Sequence, residues 1–224
     1  MFVRDRMSSP AVTITPDRSL QDALKLMHER QFRRLPVVDD RGKLIGIVSE
    51  RDLLYASSPP AGLLGGKALD DLLPELRVKE IMTEEVISAA PHAFVEEAAR
   101  LMADNKIGGL PVVDEDNQVV GVITETDVFR AFIDIYRAGH SGLYLTLEVP
   151  DRKGIVVELS RAIFDWAGNI VSVNTFYDDP RGEHKLIIKG HDIEKDQVVG
   201  VLESLGYHVI EAYELQAERS NRKG

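Results

Sequence analysis

Leu35-Pro36-Val37-Val38-Asp39 runs on through Leu44-Ile45-Gly46-Ile47-Val48 to Ser49-Glu50-Arg51-Asp52, and the chain then repeats the whole stretch. The second copy reads Leu110-Pro111-Val112-Val113-Asp114, Val119-Val120-Gly121-Val122-Ile123 and Thr124-Glu125-Thr126-Asp127, every position displaced by 75. The register reaches back through Pro16/Pro91 and Met7/Met82 to Val3/Val78 without an insertion, and residues 3–54 match 78–129 at 14 of 52 positions. A unit of this length is too large for a solenoid repeat, so the pattern reads as two copies of one small α/β module packed against each other.

Within a copy the periodicities follow in order. Ser19-Leu20-Gln21-Asp22 is an N-cap with a carboxylate three residues on. Leu20, Ala23, Leu24 and Met27 recur at helical spacing and predict a helix of about ten residues. The run from Leu35 to Val38 is wholly apolar, as a strand buried on both faces requires. Asp39-Asp40-Arg41-Gly42 is turn chemistry, the stretch from Leu44 to Val48 is the returning strand, and a second helix starts near Glu50. Each repeat is therefore βαββα, and one copy has too few helices to cover its sheet alone.

Composition narrows the function. The 224 residues carry 27 Lys and Arg against 37 Asp and Glu, a net charge of −10, which argues against nucleic acid as a partner because phosphate neutralisation needs a basic face. With no cysteine, disulfides, zinc ribbons and thiol catalysis are excluded. The N-terminus is charged at once, and no stretch approaches the ~20 apolar residues of a membrane span, so a soluble cytoplasmic protein with no membrane partner is expected.

The segment 57–77 reads as a linker, with Pro59-Pro60, Gly62 and Gly65-Gly66 and a turn of helix over 69–73. Gly66-Lys67 is not a phosphate-binding loop, because Ala61 and Ala68 stand where that motif needs Gly and Ser or Thr. Gly139-His140-Ser141-Gly142 is followed by Leu143 where a nucleophile elbow needs Gly, so 138–142 reads as a hinge. Val128, Phe132 and Ile135 continue the second repeat's last helix toward it. From Leu143 the order becomes βαββαβ, the ferredoxin-like arrangement, with Gly168 as a left-handed helix cap and a polar tail over 215–224.

No two of the histidines at 28, 92, 140, 184, 191 and 208 stand at i, i+4, so no metal site is expected, and no catalytic triad or carboxylate pair stands out. The informative positions are Ser49…Asp52 and Thr124…Asp127, each between a strand and a helix. They fit a helix cap worth about 1 kcal/mol. They also fit a phosphate at the free N–H groups of a helix start, with the carboxylate accepting both hydroxyls of a ribose.

Leu-Pro-Val-Val-Asp, Gly-(Ile/Val)-(Val/Ile)-(Ser/Thr)-x-x-Asp and the leading Met-(Ser/Thr) resemble the cystathionine-beta-synthase (CBS) domain, paired in a Bateman module. The resemblance implies that Asp52 and Asp127 hold a ribose diol, with Ser49 and Thr124 near ribose and phosphate and Thr13 and Ser88 lining an adenine pocket. The stretches at and before Leu-Pro also face ligand in that family. These are Arg33, Arg34, Leu35 and Pro36 in one copy and Gly108, Gly109, Leu110 and Pro111 in the other. The contrast of Arg-Arg with Gly-Gly implies clefts of different charge.

Residues 143–213 resemble an ACT domain, which implies an amino-acid site. Asp151 and Gly154 match its first loop and Asn169 and Ile170 its helix-to-strand turn, although a helix cap and an Asn turn explain the same residues. Two CBS domains followed by ACT resemble the acetoin-utilisation regulatory (AcuB-type) proteins. The organisation expected is CBS domain 1 over 1–56, linker 57–77, CBS domain 2 over 78–137, hinge 138–142, ACT domain 143–214 and tail 215–224. The function expected is a non-catalytic, homodimeric sensor with no cofactor. Its regulatory ligand is an adenine nucleotide (AMP, ADP, ATP or S-adenosylmethionine), joined by an amino acid at the ACT domain. The alternative is an interaction module with empty clefts that regulates a partner enzyme by contact.

Overall fold

The computed structural model describes residues 1–56, 76–136, 141–150, 152–165, 168–177 and 183–216. The chain divides into two compact units, 1–131 and 132–224. Most of the expected linker, the hinge residues 138–140, Asp151, Trp166 and most of the polar tail lie outside the described residues.

In the first unit, repeat one contains α1 (Leu20–Arg30), β1 (Arg34–Val38), β2 (Leu44–Ser49) and α2 (Glu50–Ala56). Repeat two contains α3 (Val95–Asn105), β3 (Gly109–Val113), β4 (Val119–Thr124) and α4 (Glu125–Ile135), the last reaching past the unit boundary. The Ser19 hydroxyl accepts from the Asp22 amide at 3.1 Å and starts α1. In repeat two Phe94 takes that place without a side-chain cap. The Leu-Pro-Val-Val runs pair with β2 and β4, and Leu35, Val37, Leu110 and Val112 are completely buried. The aspartates that end these runs shape the turns: Asp39 Oδ1 accepts from the amides of Arg41 and Lys43, and Asp114 Oδ1 from those of Asp116 and Gln118. Gly42 and Asn117, equivalent in the two turns, both take positive φ, which Gly and Asn tolerate best. The expected first strand of each repeat is only one parallel bridge, Ile14 to Val37 and Ala89 to Val112.

The repeats exchange their leading segments. Ser8 bridges to Val122 in β4, and its equivalent Thr83 bridges to Ile47 in β2. The crossing explains the glycine of the motif. A Cβ at Gly46 would stand 2.6 Å from Met82 Sδ, and one at Gly121 would stand 2.5 Å from Met7 Sδ. The leading Met-(Ser/Thr) of each copy therefore lies over the glycine of the other. The turns meet too, through a bridge between Lys43 and Gln118.

The second unit is a four-stranded antiparallel sheet of β5 (Gly142–Pro150), β6 (Asn169–Tyr177), β7 (Glu183–His191) and β8 (His208–Leu215), with α5 (Ile155–Phe164) and α6 (Lys195–Ser204). Its strand order is β6-β7-β5-β8, so the βαββαβ order expected of this region is present. Leu143, Leu145, Leu147 and Val149 alternate into a core with Leu159, Ile163, Leu186, Ile188, Val198 and Leu202. The Gly168 amide donates to the Ile163 carbonyl at 3.2 Å beyond the end of α5, and Trp166 and Ala167, on which the expected left-handed cap also depends, lie outside the described residues. Position 168 is a glycine because a Cβ there would press on Ile193 and Ile163 at 2.6 and 2.9 Å.

Candidate functional site

The segment exchange produces two equivalent clefts, each built from both repeats. The first, about 480 Å³, is lined by Ser8, Pro10, Ala11, Val12 and the stretch Gln31-Phe32-Arg33-Arg34 of repeat one. Repeat two supplies Gly108, Val122, Thr124-Glu125-Thr126-Asp127 and Arg130. The second, about 540 Å³, is the exchange in reverse. Thr83, Glu85, Val86, Ile87 and Lys106-Ile107-Gly108-Gly109 come from repeat two, and Ile47, Ser49-Glu50-Arg51-Asp52, Arg33 and Arg34 from repeat one. Both volumes lie in the range of small-molecule sites, about 300–1,000 Å³.

The two Ser/Thr-x-x-Asp steps have the same geometry. Asp52 Oδ2 accepts from the Ser49 amide at 2.9 Å and the Ser49 hydroxyl at 2.6 Å, while the Asp52 amide donates back to Ser49 Oγ at 3.3 Å. Asp127 Oδ2 accepts from Thr124 N at 2.9 Å and Thr124 Oγ1 at 2.6 Å, with 3.4 Å for the return bond. The capping arrangement is thus real and uses one carboxylate oxygen, and both aspartates are half-buried on a cleft wall. A second feature recurs beside them. Gln31 and Lys106 close α1 and α3 in the left-handed conformation at φ 56° and 55°, each lining one cleft. Positive φ at non-glycine residues costs free energy and concentrates at functional sites.

Ser49, Asp52, Thr124 and Asp127 are thus brought to the clefts with Arg33, Arg34, Gly108 and Gly109. Leu35, Pro36, Leu110 and Pro111 are not: they are buried in β1 and β3, where the carbonyls of Pro36 and Pro111 accept from Ile14 and Ala89. The two prolines thus anchor the parallel bridges, while Leu35 and Leu110 are wholly buried core side chains. Thr13 opens instead on a shallow recess with Arg18, Asp22 and Lys25, and Ser88 lines neither cleft. The cleft positions one to three residues earlier, at 10–12 and 85–87, escaped sequence reading; the 75-residue register pairs them but does not show that they face a ligand.

The expected charge contrast also takes another form, because Arg33 and Arg34 line both clefts. The first holds three cations (Arg33, Arg34, Arg130) against Glu125 and Asp127, and the second four (Arg33, Arg34, Arg51, Lys106) against Glu50, Asp52 and Glu85. Each is weakly positive within an acidic protein. Burial pulls the Arg34 guanidinium below its ordinary value; Glu125 opposes the shift and Arg33 adds to it.

The model of the CBS domain family matches residues 3–59 and 78–134, just over half of the chain. The chain belongs to the CBS domain family. Its CBS pair is the unit whose exchanged segments form the clefts. The chain is 34% identical over 142 residues to the uncharacterized protein MJ1225 of Methanocaldococcus jannaschii, covering 60% of this chain and 51% of that one, so it spans about half the length of that relative. The CBS-pair protein CBSX2 of Arabidopsis thaliana, solved in complex with AMP, aligns with a TM-score of 0.51 and 33% identity over 61% of this chain and 98% of its own. A Vibrio cholerae protein named for acetoin utilization (AcuB) aligns with a TM-score of 0.51 and 36% identity over 61% of this chain and 93% of its own.

The residues expected to form an amino-acid site in the second unit are not gathered in one place. Gly154, at φ 89°, precedes α5 beyond the end of β5. Asn169 and Ile170 begin β6, paired with His191 and Gly190 at the far end of β7. Nine residues of strand, about 27 Å, separate the two ends. Asn169 Nδ2 lies 2.8 Å from His191 Nε2, whose Nδ1 lies 2.6 Å from Asp192 Oδ2, and Ile170 packs on the core. Asp151 lies outside the described residues. Among the described residues there is no group of three metal-ligating side chains and no helix long and apolar enough to cross a membrane.

Proposed function

We propose that this protein is a non-catalytic regulator whose CBS pair binds an adenine nucleotide in each of its two clefts. The observation that carries the reading is the doubled Ser/Thr–Asp step, which sets a hydroxyl and a carboxylate on the wall of a weakly positive cleft at two equivalent places. A ribose diol is a donor pair suited to the carboxylate, and the cationic side chains suit a phosphate. The AMP complex of the Arabidopsis relative supports the same ligand class. Asp52→Asn and Asp127→Asn each preserve shape and lose charge-assisted hydrogen bonds of roughly 1.5–3 kcal/mol. Affinity at the altered cleft is expected to fall about 10–100-fold in calorimetric titrations with AMP, ADP, ATP and S-adenosylmethionine. Unchanged affinity in both variants refutes the ribose assignment.

The second unit is assigned to the ACT type, with an amino acid as its ligand. Because Gly154 and Asn169 stand at opposite ends of one sheet, a site using both needs a second copy of the chain. Self-association is also favoured by Leu54 and Phe129, equivalent residues of α2 and α4 that leave 55% and 64% of their surface exposed. The same apolar surface favours the second reading, an interaction module that regulates a partner enzyme by contact with its clefts empty. Acetoin utilisation is the pathway class suggested by the Vibrio protein.

A further inference from the structure

One half-buried guanidinium, that of Arg34, lines both clefts. Arg34 is the last residue before Leu35, and its side chain crosses to the other repeat over Gly108 and Gly109. A Cβ at Gly108 would stand 2.9 Å from Arg34 Nη2 and 3.0 Å from Glu125 Oε2, and a Cβ at Gly109 would collide with Arg34 Nη1. The residue equivalent to Arg34 is Gly109 itself. Residues 34 and 109 approach each other where the repeats meet, so only one of them can carry a long side chain. The contrast of Arg34 with Gly109 is therefore a complementarity between the copies, and it leaves one half-buried arm for two sites.

We propose that Arg34 is an anion-binding arm shared by both clefts, so that a nucleotide engaging it in one cleft weakens nucleotide binding in the other. The inference rests on the nucleotide reading above. Arg34 lines both clefts. It is half-buried, and the Glu125 carboxylate at the start of α4 borders the same space over Gly108. A planar guanidinium serves one phosphate bidentately, and turning it toward one cleft withdraws those donors from the other. Arg33 also lines both clefts but is exposed.

The test is titration of the full chain with AMP, followed by calorimetry and by NMR of backbone amides near Asp52 and Asp127. Asp127→Asn and Asp52→Asn isolate the intrinsic affinity of the remaining cleft. In the unaltered chain the second AMP is expected to bind about tenfold more weakly than those intrinsic values require. Arg34→Met should abolish that difference while both sites still saturate. Arg34→Lys, which keeps the charge but not the fork, should leave a reduced difference. Far-ultraviolet circular dichroism identifies a variant that has lost its fold, and the unaltered chain then still decides the matter against the two Asp variants. An isotherm reproduced by adding two independent sites overturns the shared arm and leaves the nucleotide reading standing, whereas AMP uptake by one cleft only in every variant overturns the shared arm and confines the nucleotide reading to that cleft. No AMP bound by either cleft overturns both.

Discussion

The crossing of each repeat's leading segment over the other's glycine predicts unequal costs for one substitution made twice. Gly46→Ala and Gly121→Ala both place a methyl against a methionine sulfur, at 2.6 and 2.5 Å. Methionine is flexible and can swing aside for roughly 0.5–1.5 kcal/mol. The backbone behind it cannot. At Gly46 the nearest carbonyl, Thr83 O, lies 3.3 Å away and needs to yield a few tenths of an ångström. At Gly121 the carbonyl of Ser8 lies at 2.9 Å and is held by the paired bonds Ser8 N to Val122 O and Val122 N to Ser8 O, at 2.9 and 3.1 Å. Overpacking costs about 1–3 kcal/mol, and replacing glycine returns about 0.4–1 kcal/mol through the unfolded chain. Gly46→Ala should therefore cost about 0–1 kcal/mol and Gly121→Ala about 1–2.5 kcal/mol. Native-state hydrogen exchange at the Ile47 and Val122 amides reads these costs locally, which suits a protein of two units. Truncating Met82 should relieve Gly46→Ala almost fully, whereas truncating Met7 should relieve Gly121→Ala only in part. Equal costs, or complete relief at Gly121, would refute the crossing geometry. Because Ser8, Pro10 and Val12 line the first cleft, Gly121→Ala should also weaken ligand binding at the Asp127 cleft more than at the Asp52 cleft.

Two further outcomes are expected. In the second unit Arg152 grips Glu158 through both guanidinium nitrogens at 2.8 and 2.6 Å, and Tyr207 donates to Glu158 at 2.6 Å, so the carboxyl is pulled down from 4.5 to about 2. A depressed carboxylate stabilises the fold above its ordinary value and loses that contribution as pH falls through about 4.5 toward 2. Carbon-detected NMR should place the Glu158 midpoint near 2, and Arg152→Gln should return it toward 4.5; a midpoint already near 4.5 in the unaltered chain would remove the contact from solution. For self-association, light scattering should give about twice the 24.9 kDa of one chain, and Leu54→Glu with Phe129→Glu should weaken the dimer by at least about tenfold, whereas a monomeric unaltered chain refutes it.

What could be read from sequence was whatever the repeat carried locally. The apolar run Leu35 to Val38 and the alternation of β5 announce burial through periodicity alone, and both are buried as expected. Asp39, Ser49 and Asp52 sit in turn and cap patterns only three or four residues long, and they make those local bonds. The exchange of segments was not legible, because a period of 75 relates Met7 to Met82 but is silent on whether Met7 lies over Gly46 or Gly121. Hence sequence alone has the Leu-Pro residues facing ligand and the charge contrast separating two sites. The opposite placement of Gly154 and Asn169, by contrast, was available from the βαββαβ order. β5 and β6 both run antiparallel to β7, so the loop leaving one and the turn entering the other fall at different ends.

The exchange also decides what a ligand in the clefts does to the molecule. Val12 and Phe32 belong to repeat one and Thr124 and Asp127 to repeat two, so a ligand touching both walls of the first cleft ties the repeats together. The second cleft does the same in the opposite sense, with Ile87 and Ile107 facing Ser49 and Asp52. Each binding free energy therefore appears as resistance to separating the repeats rather than as stability within either one, and it grows with the logarithm of ligand concentration over the dissociation constant. The strands cross at Ser8–Val122 and Ile47–Thr83, so those bridges are where occupancy should be felt first. Under the nucleotide reading, added AMP should slow exchange of the Val122 and Ile47 amides more than that of the Leu145 amide in the second unit's sheet. Equal slowing everywhere would mean that the ligand stabilises the chain as a whole, and that the exchange has no part in sensing.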